Sequence, residues 1–312
     1  MKHILEAINL KKSYKDKEVI KGIDFSVNES EILCFLGPNG AGKSTTINIL
    51  TGSLKYDDGR ILGFGSDIHS HLMQYKKRLG IVPQDLALYD DLSAEKNVRF
   101  FTSLYGLKGD KLYERCHYAL EFTGLLDRAK DKVNTFSGGM KRRLNIACAI
   151  AHGPDILIMD EPTVGIDPQS RNHILESIKK LRDNGMTILY TTHYMEEVEE
   201  ISTRIIIMDE GRIIAEGTKE GLRADADHEK HYRIETDSDC VFNTEPFYRI
   251  DGVKDISSDG PIVKITTLKS VENLDRLISC LMEQSVKIND ISCQSASLET
   301  VFLGLTGKSL RD

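Results

Sequence analysis

Three features are missing from this sequence, and each absence removes a class of function. No uninterrupted apolar run approaches the roughly 20 residues that a membrane-spanning helix needs, and the opening MKHILEAINLKKSY lacks the apolar core of a signal peptide. The chain is therefore expected to stay in the cytoplasm. No C-x-x-C pair occurs among six scattered cysteines, Cys34, Cys116, Cys148, Cys240, Cys280 and Cys293, so buried thiols are expected rather than zinc ligands or disulfides. An excess of positive charge is also missing. With 41 Lys and Arg against 48 Asp and Glu, the formal net charge is −7, which argues against nucleic acid as the main partner because phosphate binding needs a basic face.

The remainder is an ordinary globular composition. The 312 residues are 40% hydrophobic and 29% charged, enough for one large domain and a small one.

The most informative stretch is Gly37-Pro38-Asn39-Gly40-Ala41-Gly42-Lys43-Ser44-Thr45, which follows the apolar run EILCFL and precedes TINIL. A strand entering a tight glycine loop and leaving as a helix is the P-loop context, and Gly37, Gly42, Lys43 and Ser44 fill G-x-x-x-x-G-K-[ST]. Glycines let the backbone wrap phosphate oxygens, and the helix N-terminus adds partial positive charge. Lys43 neutralises the outer phosphates, and Ser44 can ligate Mg²⁺.

Upstream, Ile4 to Leu10 and Val19 to Val27 read as strands, with Tyr14 on the turn between them. Downstream, Asp57 to Arg60 reads as a turn, Ile61 to Gly65 as a strand, His71 to Arg78 as a basic helical segment and Leu79 to Pro83 as a strand. Gln84 follows that strand at once, where its amide carbonyl can reach a metal or an attacking water. From Ser93 to Thr123 the period is helical. Val98, Phe101, Leu104 and Tyr105 share one face, and Leu112, Cys116, Ala119, Leu120 and Thr123 share another. The loop before it, DLALYDDL, carries Leu86, Leu88 and Tyr89 with no core period, which suggests a docking surface.

A second anion site opens at Phe136-Ser137-Gly138-Gly139-Met140, where an N-cap serine and two glycines expose free N–H groups at a helix start. The apolar strand Ile156 to Met159 ends on Asp160 and Glu161, placed respectively to hold a Mg²⁺ hydration shell and to take a proton from water. Asp167, in Gly165-Ile166-Asp167-Pro168, is an N-cap of the following helix, an interface contact, or both. The strand MTILYTT ends at His193, where ligands of open α/β sheets gather. Arg204 to Glu216 reads as a hairpin turning at Asp209-Glu210-Gly211. Taken singly, most of these residues have a plainer reading: Tyr14 as a packing plug, Gln84 as a surface residue, Ser137 as a simple cap, His193 as structural.

Their order and spacing overturn those readings. Tyr14, GPNGAGKST, Gln84, FSGGM, ILIMDEP, GIDP and TTH resemble in register the A-loop, Walker A, Q-loop, signature, Walker B, D-loop and switch histidine of ATP-binding cassette ATPases, over roughly residues 2 to 217. Two departures occur. The signature is FSGGM rather than LSGGQ, which removes one polar contact, and Ile166 replaces the usual leucine of the D-loop.

The resemblance implies an α/β P-loop NTPase of cassette type. It has a mixed-sheet core, an antiparallel β subdomain, a helical subdomain at about 85 to 150, and ATP and Mg²⁺ as ligands. It further implies a head-to-tail homodimer or paired cassette in which Ser137, Gly138 and Gly139 of one copy cap the γ-phosphate held by the other. Tyr14 would stack on adenine, and Ser44, Gln84 and Asp160 would hold Mg²⁺. Glu161 would be the base, His193 the γ-phosphate sensor, and Asp167 a contact at the nucleotide. A separate permease would hold the chain at the inner face of the membrane.

After Gly217 the composition changes. Residues 218 to 230 read as a polar linker and 231 to 312 as a small α+β domain. Strands are expected near Tyr232 to Glu235, Val253 to Ile256, Ile262 to Thr267 and Val286 to Ile291, and a helix from Val271 to Gln284. The ending SLETVFLGLTGKSLRD and the segment HYMEEVEE resemble bacterial exporter ATPases of the daunorubicin-resistance type. A soluble cassette acting on nucleic acid or ribosomes is the competing reading. Only about fifty residues separate Gln84 from Ser137, too few for a long coiled-coil insertion, and a single ATPase unit is present. A binding module without turnover is countered by Glu161 and His193.

Overall fold

The computed structural model describes residues 3–306 apart from 16, 227–228, 238–241 and 295–297. Two compact units divide at Thr218 and Lys219. In the first, β1 (His3–Tyr14), β2 (Lys17–Asn28), β4 (Asp58–Gly63) and β5 (Ser66–Asp67) form an antiparallel sheet in the order β2-β1-β4-β5. The turn expected at Asp57 to Arg60 is instead mostly strand. Asp58 pairs with Lys11 in the ladder, and the two aspartates are neutralised by Lys12 at 2.7 Å from Asp57 and Lys11 at 3.0 Å from Asp58.

The second sheet contains β3 (Ile32–Leu36), β6 (Leu79–Val82), β7 (Ile156–Asp160), β8 (Thr187–Thr192), β9 (Arg204–Asp209) and β10 (Arg212–Gly217), in the order β10-β9-β3-β8-β7-β6. β9 through β6 run parallel, and only β10 is antiparallel. Strands β3, β7 and β8 are buried along their whole length, the continuous apolar run required of a parallel strand covered on both faces. Because these strands are parallel, their carboxyl ends collect on one edge of the sheet.

The helices of this unit are α1 (Lys43–Leu50), α2 (Leu72–Lys77), α3 (Ala94–Leu104), α4 (Gly109–Phe122), α5 (Gly138–Ile150), α6 (Pro168–Asp183) and α7 (Met195–Ile201). α3, α4 and α5 pack on one another as a helical subdomain. The inward face of α3 carries Ala94, Asn97, Val98 and Thr102. Leu104, expected on the inner face, is 65% exposed because it lies about 120° round the helix from Val98, beyond the edge of the buried side. Thr102 is tolerated inside because its hydroxyl donates to the Val98 carbonyl at 2.7 Å.

The second unit begins with α8 (Lys219–Ala226), where a linker was expected. Buried Leu222 gives this largely charged segment an inner side, and too little apolar period marks it in sequence. Then follow β11 (Glu229–Thr236), β12 (Val253–Asp259), β13 (Ile262–Leu268), α9 (Leu274–Glu283), β14 (Ile288–Gln294) and α10 (Leu298–Thr306). The strands form an antiparallel sheet in the order β12-β13-β11-β14, and α10 packs on α8. Tyr232, Ile234, Phe247, Ile265, Leu277 and Leu281 are among its core residues. Cys34, Cys116 and Cys148 are buried as expected, but Cys280 is half-buried and Cys293 exposed, while Cys240 lies outside the described residues. So do the last residues of the exporter-like ending, GKSLRD.

Candidate active site

Four of the loops that leave the carboxyl edge of the parallel strands, those after β3, β6, β7 and β8, carry candidate residues. The first is the glycine loop into α1. Gly42 precedes the helix with φ 106°, a conformation L side chains rarely adopt, and a Cβ there would lie 2.7 Å from Ile20 Cδ1. The first-turn N–H groups of Lys43, Ser44 and Thr45 have no partner within the helix, which leaves them available to an anion. Lys43 Nζ donates to the Gly37 carbonyl at 2.7 Å and the Pro38 carbonyl at 3.2 Å, and lies 3.5 Å from Glu161 Oε1. Burial pulls the Lys43 pKa down, opposed by the charges of Glu161 and then Asp160.

A cleft of about 180 Å³ gathers Asn39, Gly40, Lys43, Ser44, Gln84 and Glu161, with Gly42, Thr45 and Val19 completing its wall. A larger hollow of about 430 Å³ lies on the helical subdomain between Tyr113, Cys116 and Lys130. It is lined by none of the phosphate-loop residues, so the smaller cleft is the candidate site.

At the end of β7, Asp160 Oδ1 accepts from Ser44 Oγ at 3.2 Å and from Thr191 Oγ1 at 2.5 Å. Among the described residues no group of three or more His, Cys, Asp or Glu could cage a metal. A hydroxyl beside a single carboxylate, opening on a phosphate cradle, suits Mg²⁺, which keeps several waters and binds through one or two carboxylates plus substrate phosphates.

Glu161 adopts φ 44°, strained for a non-glycine residue, and is held there by its N–H donating to both the carbonyl (3.1 Å) and the hydroxyl (3.0 Å) of Thr191. Its carboxylate is therefore turned back toward the cleft, 3.2 Å from Nδ1 of His193 at the end of β8. Arg142 on α5 holds the loop after β6 by donating to the Pro83 carbonyl at 2.8 Å and the Gln84 carbonyl at 2.7 Å.

The remaining sequence candidates lie elsewhere. Tyr14 ends β1, 48% exposed with Lys12 Nζ 5.6 Å from its ring centre, and does not line the cleft. Ser137 caps α5 by accepting from Met140 N–H at 3.3 Å. Ser137 and Gly138 are exposed and outside the cleft, whereas Gly139 presses on the start of α6, where a Cβ would meet Ser170 Oγ at 2.2 Å. Asp167 caps α6 by accepting from Ser170 N–H at 2.9 Å, and that backbone bond holds its carboxyl below the ordinary range.

Sequence reading missed three residues that order the site. Thr191 grips both acidic residues. Arg142 fixes the glutamine loop. Glu197, fully buried on α7, accepts from Thr163 (2.5 Å), Tyr190 (2.9 Å) and Thr192 (2.8 Å) and so braces the segments flanking Glu161 and His193. Only the pair of threonines ending an otherwise apolar strand hinted at any of this.

A family model described as ABC transporter matches residues 20–164. The linearmycin resistance ATP-binding protein LnrL of Bacillus subtilis is 42% identical over 99% of this chain and 100% of its own length. The daunorubicin resistance ATP-binding protein DrrA3 of Streptomyces coeruleorubidus is 32% identical over 96% and 95%. Among solved structures, the dimeric structure of a bacterial ABC transporter cassette, MJ0796, superposes with a TM-score of 0.63 at 27% identity, covering 69% of this chain and 98% of that one. With the cleft, the two acids and these relatives in agreement, the chain belongs to the ABC transporter family as an ATP-binding subunit that hydrolyses ATP.

Proposed function

We propose that two copies of this chain, or this chain and a paired cassette, close head to tail around two ATP molecules and drive a separate membrane permease in the export direction. One observation carries the reading. The cleft gathers Lys43, Ser44, Gln84 and Glu161, while the serine-glycine helix end at Ser137 and Gly138, the second of the anion-binding type, stands exposed outside it. A partner whose Ser137 to Gly139 reach the γ-phosphate completes both sites at once. The contact of Gly139 with the start of α6 puts Asp167 at the same surface. The relatives named for linearmycin and daunorubicin resistance support outward transport of a small molecule. Among the described residues no helix is long and apolar enough to cross a membrane, in keeping with a separate permease and a place at the inner membrane face.

In this reading the amides of Gly40 to Thr45 and Lys43 hold the phosphates, and Tyr14 stacks on the adenine. Ser44, Gln84 and, through water, Asp160 hold Mg²⁺, which when bound neutralises phosphate charge. Gln84 and Glu161 orient a water, and Glu161 takes its proton as the oxygen attacks the γ-phosphorus and the bond to the bridging oxygen of ADP breaks. His193, against Glu161, contacts the γ-phosphate. Positioning and electrostatics supply most of the rate in phosphoryl transfer.

The test is ATPase activity per molecule across a dilution series of the purified chain. The rate per molecule is expected to rise with concentration and to vanish in Lys43→Ala. An undiminished rate from material kept strictly monomeric would remove the paired site.

A further inference from the structure

The loop carrying Gln84 begins where β6 ends. Pro83 has no N–H, so the strand ladder cannot continue through it, and the carbonyls that follow must find donors elsewhere. Both carbonyls find them on α5. Arg142, 4% exposed, spreads its guanidinium so that Nη1 meets Pro83 O and Nη2 meets Gln84 O. Its Nε has no hydrogen-bond partner among the described residues, and the charge of Asp85 acts on it only beyond ion-pair distance. Burying a guanidinium this way is costly, and the two carbonyls help offset it, with a longer-range contribution from Asp85.

The recipients are main-chain oxygens. Arg142 therefore sets the path of the loop without engaging the Gln84 side chain, which lines the same cleft as Lys43 and Glu161. The donor sits five residues after Ser137 on the same helix, about 7.5 Å along its axis. A helix of this length moves as one body, so displacing its serine-glycine end displaces the guanidinium and, through two charge-assisted bonds, the backbone of Gln84.

We propose that Arg142 is a positioning residue for ATP hydrolysis: it ties Gln84, in the cleft of its own chain, to the end of α5 that closes on the partner's nucleotide. Capture of a phosphate by Ser137 to Gly139 at one site is thereby transmitted to the metal-side glutamine of the other. The proposal rests on the paired reading above. Lysine cannot substitute, because a single ammonium lacks the fork that spans two consecutive carbonyls.

The test is a cycle of Arg142→Lys, Gln84→Ala and the double variant in the full chain, reading kcat, by single turnover where it is slow, and the affinity for a fluorescent ATP analogue. Arg142→Lys is expected to lower kcat by about tenfold or more, the effect of losing a charged hydrogen bond, with analogue affinity within about twofold of wild type. The double variant is expected to be no slower than Gln84→Ala by more than about twofold, because nothing is left to position. Arg142→Met, which fills the same space without an unpaired charge, goes through the same cycle, so that poor folding of the lysine variant does not decide the outcome. Losses that multiply in the double variants, or wild-type kcat in Arg142→Lys, overturn the proposal. Wild-type turnover that does not depend on concentration removes the paired reading itself. Concentration-dependent turnover with multiplying losses removes only the role of Arg142.

Discussion

Glu161 illustrates how a residue can be legible in chemistry and not in conformation. An acid one position beyond a strand-ending aspartate reads as a base from sequence. What suits it to that proposed role is the left-handed backbone that turns its carboxylate to within 3.5 Å of Lys43 and 3.2 Å of His193. That backbone is imposed from a different strand, by Thr191, thirty positions away, which no local pattern can report. Replacing Glu161 with Gln keeps the shape and removes the proton acceptor. Steady-state turnover is expected to fall by about 10² to 10⁴ with ATP still bound, and near-normal turnover would assign the proton transfer to another group.

At the scale of elements, the helical subdomain shows which features periodicity carries and which it does not. The apolar positions of α4 were legible, and Cys116, Ala119 and Leu120 are buried as expected. Leu104 of α3 was not, because it sits about 120° round the helix from Val98 and packing decides how far the buried side extends. The same subdomain is tied to β6 by His152, just beyond α5. Its ring stacks on Tyr105 with centroids 3.5 Å apart, and its Nε2 lies 3.0 Å from the Leu79 carbonyl. A carbonyl only accepts, so the proton sits on Nε2, and Nδ1 is buried with no partner among the described residues. Burial, with a smaller contribution from the Arg115 charge, pushes the His152 pKa down to about 4, although the Leu79 bond opposes this. The folded value is below the ordinary one, so the unfolded chain takes the proton first. Stability is complete above about pH 6.5 and is lost as pH falls toward 4, by about 3 kcal/mol at the limit. His152→Phe keeps the stack and has no proton to gain, and the Tyr105 hydroxyl, 3.4 Å from Leu79 O, still serves that carbonyl. Its melting temperature is expected to fall less than that of wild type between pH 7 and pH 4.5. Parallel losses would place the acid sensitivity elsewhere.

For the whole molecule, the question is where the permease presses. The loop after Gln84 presents Leu86 and Tyr89, 42% and 49% exposed, while Leu88 is half-buried. The loop is held in place. Buried Asn97 binds both the N–H (2.8 Å) and the carbonyl (3.0 Å) of Tyr89, whose ring packs edge-on against exposed Phe100 at 5.1 Å. A pinned apolar projection beside the nucleotide glutamine is suited to carry force between permease and cleft. Leu86→Asp and Tyr89→Asp are each expected to cut transport by the assembled complex about tenfold or more, since an unpaired charge in an apolar interface costs several kcal/mol, with ATPase of the isolated chain intact. Unchanged assembly and transport would move the docking surface away from this loop.

By itself the sequence determined the chemistry: the phosphate loop, the two acids, the glutamine, the histidine and the second helix end are recognisable because each uses residue types tied to a backbone turn or a strand end at short range. It determined the α+β character of the C-terminal unit too, since alternation over five to eight residues is a local signal. The tertiary structure decided everything that joins distant segments. It put four loops on one edge by running their strands parallel, strained Glu161 against Thr191, folded α8 from a segment that reads as linker, and set the guanidinium of Arg142 on the carbonyls of Pro83 and Gln84. Local patterns record propensity and turn chemistry, whereas a hydrogen bond between residues 58 positions apart leaves no period to read.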